Sequence, residues 1–199
     1  IARLGVDLLT INAAKVYGPK GIGALYVVRG IRLSPITFGG GQEMGLRSGT
    51  ENVPNLVGFS VASELAKKHL VSSRKQYQVL AKTFREIIEQ KSKITPLWLG
   101  NPKHQLVNFI PVCFDGLDAE RLIFKLEDRG IYVSTGAACA ASKGQKSHVL
   151  SAIGLSDSEI AGSLRITLGK DTTIEDNKTA ADNLAEVVNL EARRLKLID

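Results

Sequence analysis

The chain has 199 residues, 44% hydrophobic and 23% charged, with a formal net charge of +6. That length allows one large domain or two small ones, and the apolar fraction excludes an intrinsically disordered chain. Runs of about 18 apolar residues are absent, which excludes a conventional transmembrane helix. The stretch after Ile1 holds only Arg3 before a short mixed run, so no signal peptide is expected, and a start without Met suggests a chain that begins mid-protein. Basic residues are scattered, densest at Arg193-Arg194-Leu195-Lys196, and aromatics are only 6%. This balance reads as a solvated basic surface rather than a nucleic-acid groove. Cys113 and Cys139 form no CxxC and no zinc spacing, so a reducing, cytoplasmic setting is expected.

In chain order, Val6–Ile11 and Ile22–Val28 are short apolar runs separated by the turn residues Tyr17-Gly18-Pro19-Lys20-Gly21. With so little alternation they read as strands buried in a sheet covered on both faces. A cluster at Gly39-Gly40-Gly41 leads into Arg47-Ser48-Gly49-Thr50, where backbone N–H groups and the Thr50 hydroxyl can bind phosphate. A long helix is expected from about Pro54 to Lys91, capped by Thr50 or Asn52, with a kink or break at Val71-Ser72-Ser73. A helix of that length joins two bodies. Beyond Pro96 the expected order is strand (Leu106–Phe114), helix (Ala119–Arg129), strand (Gly130–Ser134), strand (Ser163–Leu168) and helix (Thr173–Leu197). This is an α+β layer.

Three side chains stand out chemically. Cys139 lies in a tract of tiny residues, Gly136-Ala137-Ala138-Cys139-Ala140-Ala141-Ser142, that builds little core and suits an exposed thiol. Lys143 and Lys146 nearby favour its thiolate. Cys113, inside Phe109–Phe114, reads instead as a small buried hydrophobe. Lys15 ends an apolar strand, where partial desolvation would favour the neutral amine that attacks a carbonyl. Arg165 sits within the apolar strand Ser163–Leu168 and needs a partner, either a surface acid or a substrate carboxylate.

Four ordered motifs then converge. Lys15-Val16-Tyr17-Gly18-Pro19-Lys20-Gly21, Gly39–Glu43 with Arg47–Asn52, Ser134–Cys139, and Leu164–Gly169 resemble the cysteine desulfurases of the NifS/IscS type. The resemblance runs along essentially the whole chain, which matches the C-terminal half of these enzymes. It implies an α/β fold: the C-terminal part of a fold-type I PLP-dependent transferase large domain (1–52), a connecting helix region (53–92) and a small α+β domain (93–199). It implies pyridoxal 5'-phosphate (PLP) as cofactor and L-cysteine as substrate. Lys15 matches the lysine that holds PLP and moves protons, and Cys139 the nucleophile that takes the substrate sulfur as a persulfide. Arg165 matches the clamp on the substrate carboxylate, and Asn12 a phosphate contact. Thr50 matches a threonine reaching the neighbouring protomer's phosphate, which implies a homodimer. Sulfur-acceptor proteins for iron–sulfur cluster assembly or tRNA thiolation are the implied partners.

The chain departs from the family where the pattern Ser-x-His-Lys becomes Asn12-Ala13-Ala14-Lys15. Ala14 cannot donate a hydrogen bond, and one lost phosphate donor costs about 1–3 kcal/mol of cofactor binding. The family's histidine over the PLP ring and aspartate at the ring nitrogen would fall before Ile1, so the chain is expected to need a missing half. The rivals are a non-catalytic binding or scaffold copy and a related class V lyase or aminotransferase. The Cys139 tract argues against the latter, whose chemistry needs no mobile thiol.

Overall fold

A computed structural model describes residues 1–135 and 146–199. The chain divides into two compact units, Ile1–Val71 and Ser72–Asp199.

In the first unit, β1 (Leu8–Asn12) pairs antiparallel with β2 (Gly23–Val27), in register from Leu8 opposite Val27 to Asn12 opposite Gly23. The two strands are not buried as their composition suggested: Leu8 is 45% exposed, and Ile11 and Leu25 are each 49% exposed. Burial needs a second layer. Among the described residues of this unit, the buried apolar side chains are Ala13, Phe59 and Ala62, one from the turn after β1 and two from the helix that follows.

That helix, α1 (Val53–Lys91), has Asn52 as its cap, with Oδ1 accepting from Asn55 N–H. It runs unbroken through Val71-Ser72-Ser73. Two serines cost a helix interior only a few tenths of a kcal/mol each relative to its best residues, less than the hydrogen bonds a break would forfeit.

The second unit takes the other half of α1 and builds a four-stranded antiparallel sheet in the order β3-β4-β6-β5. The strands are β3 (Leu97–Trp98), β4 (Phe109–Cys113), β5 (Ser134–Thr135) and β6 (Ser163–Thr167). Pro111 stands in the middle of β4, where proline is normally excluded. On the β6 side it falls at a position that makes no ladder bond, because Leu168 N–H donates to Asn108 O and the bonded pairs alternate from there, three residues away from Pro111. On the β3 side its carbonyl accepts from Leu99 N–H, and no N–H exists to answer, so β3 stops at Trp98.

One face of the sheet carries the core. Ile110, Val112, Leu164 and Ile166 pack against Leu80, Phe84 and Ile88 of α1, Leu122 and Leu126 of α2 (Ala119–Glu127), and Leu184, Val187 and Val188 of the last helix. The other face is covered at one end by Leu150, Leu155 and Ile160, around Leu99 and Cys113. These come with two short helices, α3 (His148–Ala152) and α4 (Asp157–Ala161), capped by Ser147 and Ser156. The final helix, α5 (Ile174–Arg194), opens on a capping box of Thr173 and Asp176.

Its C-terminus closes with Leu197 N–H on Ala192 O and Lys196 N–H on Arg193 O. This is a Schellman motif whose left-handed position is Lys196, at φ 58°. Lys196→Gly is expected to raise stability by about 0.5–1 kcal/mol, read as a shift in urea midpoint. An unchanged or lower midpoint contradicts this account of the helix end.

Candidate active site

The geometry around Lys15 starts at the end of β1. Asn12 accepts a hydrogen bond at Oδ1 from Ala14 N–H (2.9 Å), starting a 3-10 turn over Ala13–Val16 that carries Lys15. Ala13 is fully buried, and its carbonyl accepts from Gly18 N–H (2.8 Å). Tyr17 closes the turn in the left-handed region at φ 62°. The start of α1 lies close to this turn. A Cβ on Gly58 would come 2.6 Å from Pro19 Cγ, and one on Gly18 would come 3.2 Å from Ala62 Cβ. Asn55 Nδ2 also donates to Lys20 O (3.4 Å).

The lysine turn is therefore held from the strand and the helix, while Lys15 itself is exposed. The expected partial desolvation of its amine is not observed, since the turn presents it to solvent. It makes no ion pair among the described residues.

Thr50 stands three residues before α1, exposed; Asn52, not Thr50, caps the helix. The glycine segment preceding it is folded on itself. Gly41, Gly45 and Gly49 take left-handed φ values of 80°, 79° and 116°, which only glycine adopts without strain. Gly49 N–H goes to Gln42 Oε1 (3.1 Å), so that backbone donor is spent within the loop and is not free for a phosphate.

In the second unit Arg165 lies on β6, on the sheet face opposite the core. Pro111 of β4 is its neighbour on one side and Ser134 of β5 on the other. The guanidinium is half-buried and its Nε has no hydrogen-bond partner among the described residues. Of the two expected partners, the surface acid is not found: none reaches it among the described residues. Buried donors left unmet cost about 1–3 kcal/mol, so this face is suited to an incoming anion.

Cys139 lies outside the described residues, as does Lys143. The chain enters that stretch from β5, the strand paired with Arg165's own, and leaves it at Lys146. Lys146 Nζ is bound by the Asp157 carboxylate, so its charge is already engaged. Cys113 is buried as expected, and burial pushes its thiol up to about 11, partly offset by a hydrogen bond with Ser163. A thiol held that far from ionisation is no nucleophile. The structure thus groups Asn12, Lys15 and Thr50 in one unit and Arg165 in the other. The Pro111–Arg165–Ser134 arrangement was missed in the sequence, although a proline and an arginine inside two apolar strands were its visible signal. Among the described residues, no group of acids, histidines or cysteines is arranged to hold a metal, and no helix is long and apolar enough to cross a membrane.

The family model for aminotransferase class-V matches residues 1–179. The chain belongs to this family. The cysteine desulfurase IscS 1 of Archaeoglobus fulgidus is 42% identical over 197 residues, covering 98% of this chain and 50% of that protein. Cysteine desulfurase IscS of Methanosarcina thermophila is 40% identical, over 94% of this chain and 46% of its own length. Among solved structures, a NifS-like protein superposes with a TM-score of 0.83 at 32% identity, covering 96% of this chain and 48% of the other. A NifS-like protein from Rickettsia africae ESF-5 gives 0.78 at 30% identity, over 94% of this chain and 49% of the other. This aminotransferase class-V chain spans about half the length of the curated relatives it matches. Its fold is accordingly part of a fold-type I PLP-dependent architecture.

Proposed function

We propose that this class-V chain supplies the lysine and the sulfur-accepting cysteine of a PLP-dependent cysteine desulfurase, converting L-cysteine to L-alanine and an enzyme persulfide. The observation that carries the reading is Arg165. A half-buried guanidinium whose Nε has no hydrogen-bond partner among the described residues, beside the strand that leads to Cys139, suits the carboxylate of an amino-acid substrate.

The residues present fit PLP at its amine and phosphate contacts. Lys15 offers an exposed amine that makes no ion pair among the described residues. Asn12 commits its amide oxygen to Ala14 N–H, which leaves its NH2 group as the donor for phosphate. Thr50 offers a hydroxyl, reaching a neighbouring protomer in the homodimer that the reading implies. Ala14 offers nothing. Bound PLP supplies the electron sink on which carbon–sulfur cleavage depends.

This chain's residues do the rest. Lys15 takes and returns the proton at the substrate Cα. Arg165 fixes the carboxylate. The Cys139 thiolate attacks the substrate sulfur, and the new S–S bond forms as the C–S bond breaks. The bonding pair stays with carbon, which takes up a proton to give alanine. The persulfide then passes to an acceptor protein for iron–sulfur assembly or tRNA thiolation.

The test is L-alanine release from L-cysteine by the full-length polypeptide carrying this chain, with Arg165→Ala beside it. Truncating one partner of a charge-assisted pair costs about 2–5 kcal/mol, so KM for L-cysteine should rise at least about tenfold. Unchanged KM removes Arg165 from the substrate, and no alanine at all from the parent protein overturns the reading.

A further inference from the structure

The basic residues are scattered along the chain, but their excess is not. Between Glu64 and Glu86 stand Lys67, Lys68, Arg74, Lys75, Lys82 and Arg85, with no aspartate or glutamate among them. Taking these six from the 26 Lys and Arg leaves 20, equal to the 20 Asp and Glu. The formal excess of +6 therefore resides in one stretch of α1.

In the second unit, Leu80, Phe84 and Ile88 turn one side of α1 into the core. At 3.6 residues per turn, Arg74, Lys75, Gln78 and Lys82 fall on the side away from it, and all four are exposed. Val79 lies beside them, 60% exposed. Arg85 is set apart, its guanidinium lying over the Trp98 ring at 4.5 Å from the centroid. Helix surfaces ordinarily mix both signs and pair them four residues apart. Here Lys82 has Glu86 at 3.7 Å, whereas Arg74 and Lys75 make no ion pair among the described residues.

The spacing selects the kind of partner. Lys68, Lys75 and Lys82 stand seven residues apart in sequence, as do Lys67 and Arg74. Seven helical residues advance about 10.5 Å. A second helix laid alongside repeats its own facing positions every seven residues, so acids at that spacing meet the cations one for one. An apolar residue between those acids covers Val79. A nucleic-acid strand carries a charge about every 3.4 Å, and its backbone has no apolar surface to cover a valine. None of the exposed positions named offers an aromatic ring to a base either.

We propose that the outward side of α1 at Arg74, Lys75 and Lys82 docks an acidic amphipathic helix of a partner protein, laid along α1 with its acids at heptad spacing. The inference rests on charge, exposure and spacing, and it holds whether or not the proposed chemistry does.

The test uses the full-length polypeptide carrying this chain and a labelled synthetic helix of several heptads, with glutamate at two positions and leucine at one position of each. Fluorescence anisotropy should show binding that weakens as salt rises. Arg74→Glu, Lys75→Glu and Lys82→Glu combined should lower affinity at least about tenfold. A second peptide with lysine in place of glutamate should bind that variant and not the parent. Lys75→Gln alone should weaken the glutamate peptide about threefold, which keeps the proposal falsifiable if the triple variant fails to fold. Lys103→Glu, at an exposed lysine before β4, should bind as the parent does. The proposal is overturned if the glutamate peptide does not bind, if it ignores the substitutions on α1, or if a peptide of the same composition with scrambled glutamates binds equally well. Failure of the lysine peptide to bind a folded triple variant, or tighter binding of duplex DNA through the same residues, would likewise overturn it.

Discussion

Replacing Glu191 by alanine is expected to cost the second unit about 3 kcal/mol of stability. Glu191 lies on the buried side of α5, with its side chain only 4% exposed. Three cations close on it: Arg121 Nε (3.1 Å) and Lys125 Nζ (3.3 Å) from α2, and Arg194 Nε (2.7 Å) from one turn on. Burial alone would raise this carboxyl; the hydrogen bonds from Arg121, Arg194 and Lys125 outweigh it and hold the group down at about 2. Removing one member of a buried pair costs about 3–5 kcal/mol. The lower end applies here because the three cations are each roughly half exposed and can turn to water.

The sign with pH follows. A carboxyl lowered in the folded state stabilises fully above its unfolded value of about 4.3, and that contribution fades as pH falls toward 2. Urea unfolding at pH 7 and pH 3 should therefore show the parent losing stability on acidification more steeply than Glu191→Gln. Parallel losses, or a Glu191→Ala midpoint equal to the parent's, would mean the cluster is merely tolerated.

Under the proposed function, Cys139→Ala in the full-length polypeptide should abolish persulfide formation while PLP binding stays intact. Sulfur capture needs a thiolate to form the S–S bond, and alanine has no group to replace it. Cys113 cannot substitute, since its thiol is fully buried and held at about 11. Persulfide is measured by mass spectrometry after L-cysteine is added, and PLP by its visible absorbance. Persulfide surviving in Cys139→Ala, or PLP lost with it, would show that the role is misassigned.

Much of the second unit was legible because its elements carry their own pattern. The spacing of Leu80, Phe84 and Ile88 marks the buried stripe of α1, and Thr173 with Asp176 marks where α5 begins. Glu191 was overlooked, although it sits among Val187, Val188 and Ala192 on an apolar stripe, which is itself the sign of an acid that must find cations. The first unit was harder to read. Apolar runs such as Val6–Ile11 state a preference for burial and do not say what covers them. Strand ends were also obscure, because β3 is limited by a missing N–H at Pro111 and β5 by the fork of Arg129 onto Glu186 of α5. Each cause lies in another element of the fold. At the candidate site, motif order named the candidate residues, whereas the exposure of Lys15 and the capture of Gly49 N–H by Gln42 arise from local folding that no motif records.

The central claim is that Lys15 is the residue that takes PLP, and borohydride trapping tests it directly. The full-length protein is incubated with stoichiometric PLP, reduced, digested and mapped by mass spectrometry. The account predicts a pyridoxyl group on Lys15 that is absent from Lys20 and lost in Lys15→Ala. Label spread evenly over the exposed lysines, or concentrated on another one, would contradict it.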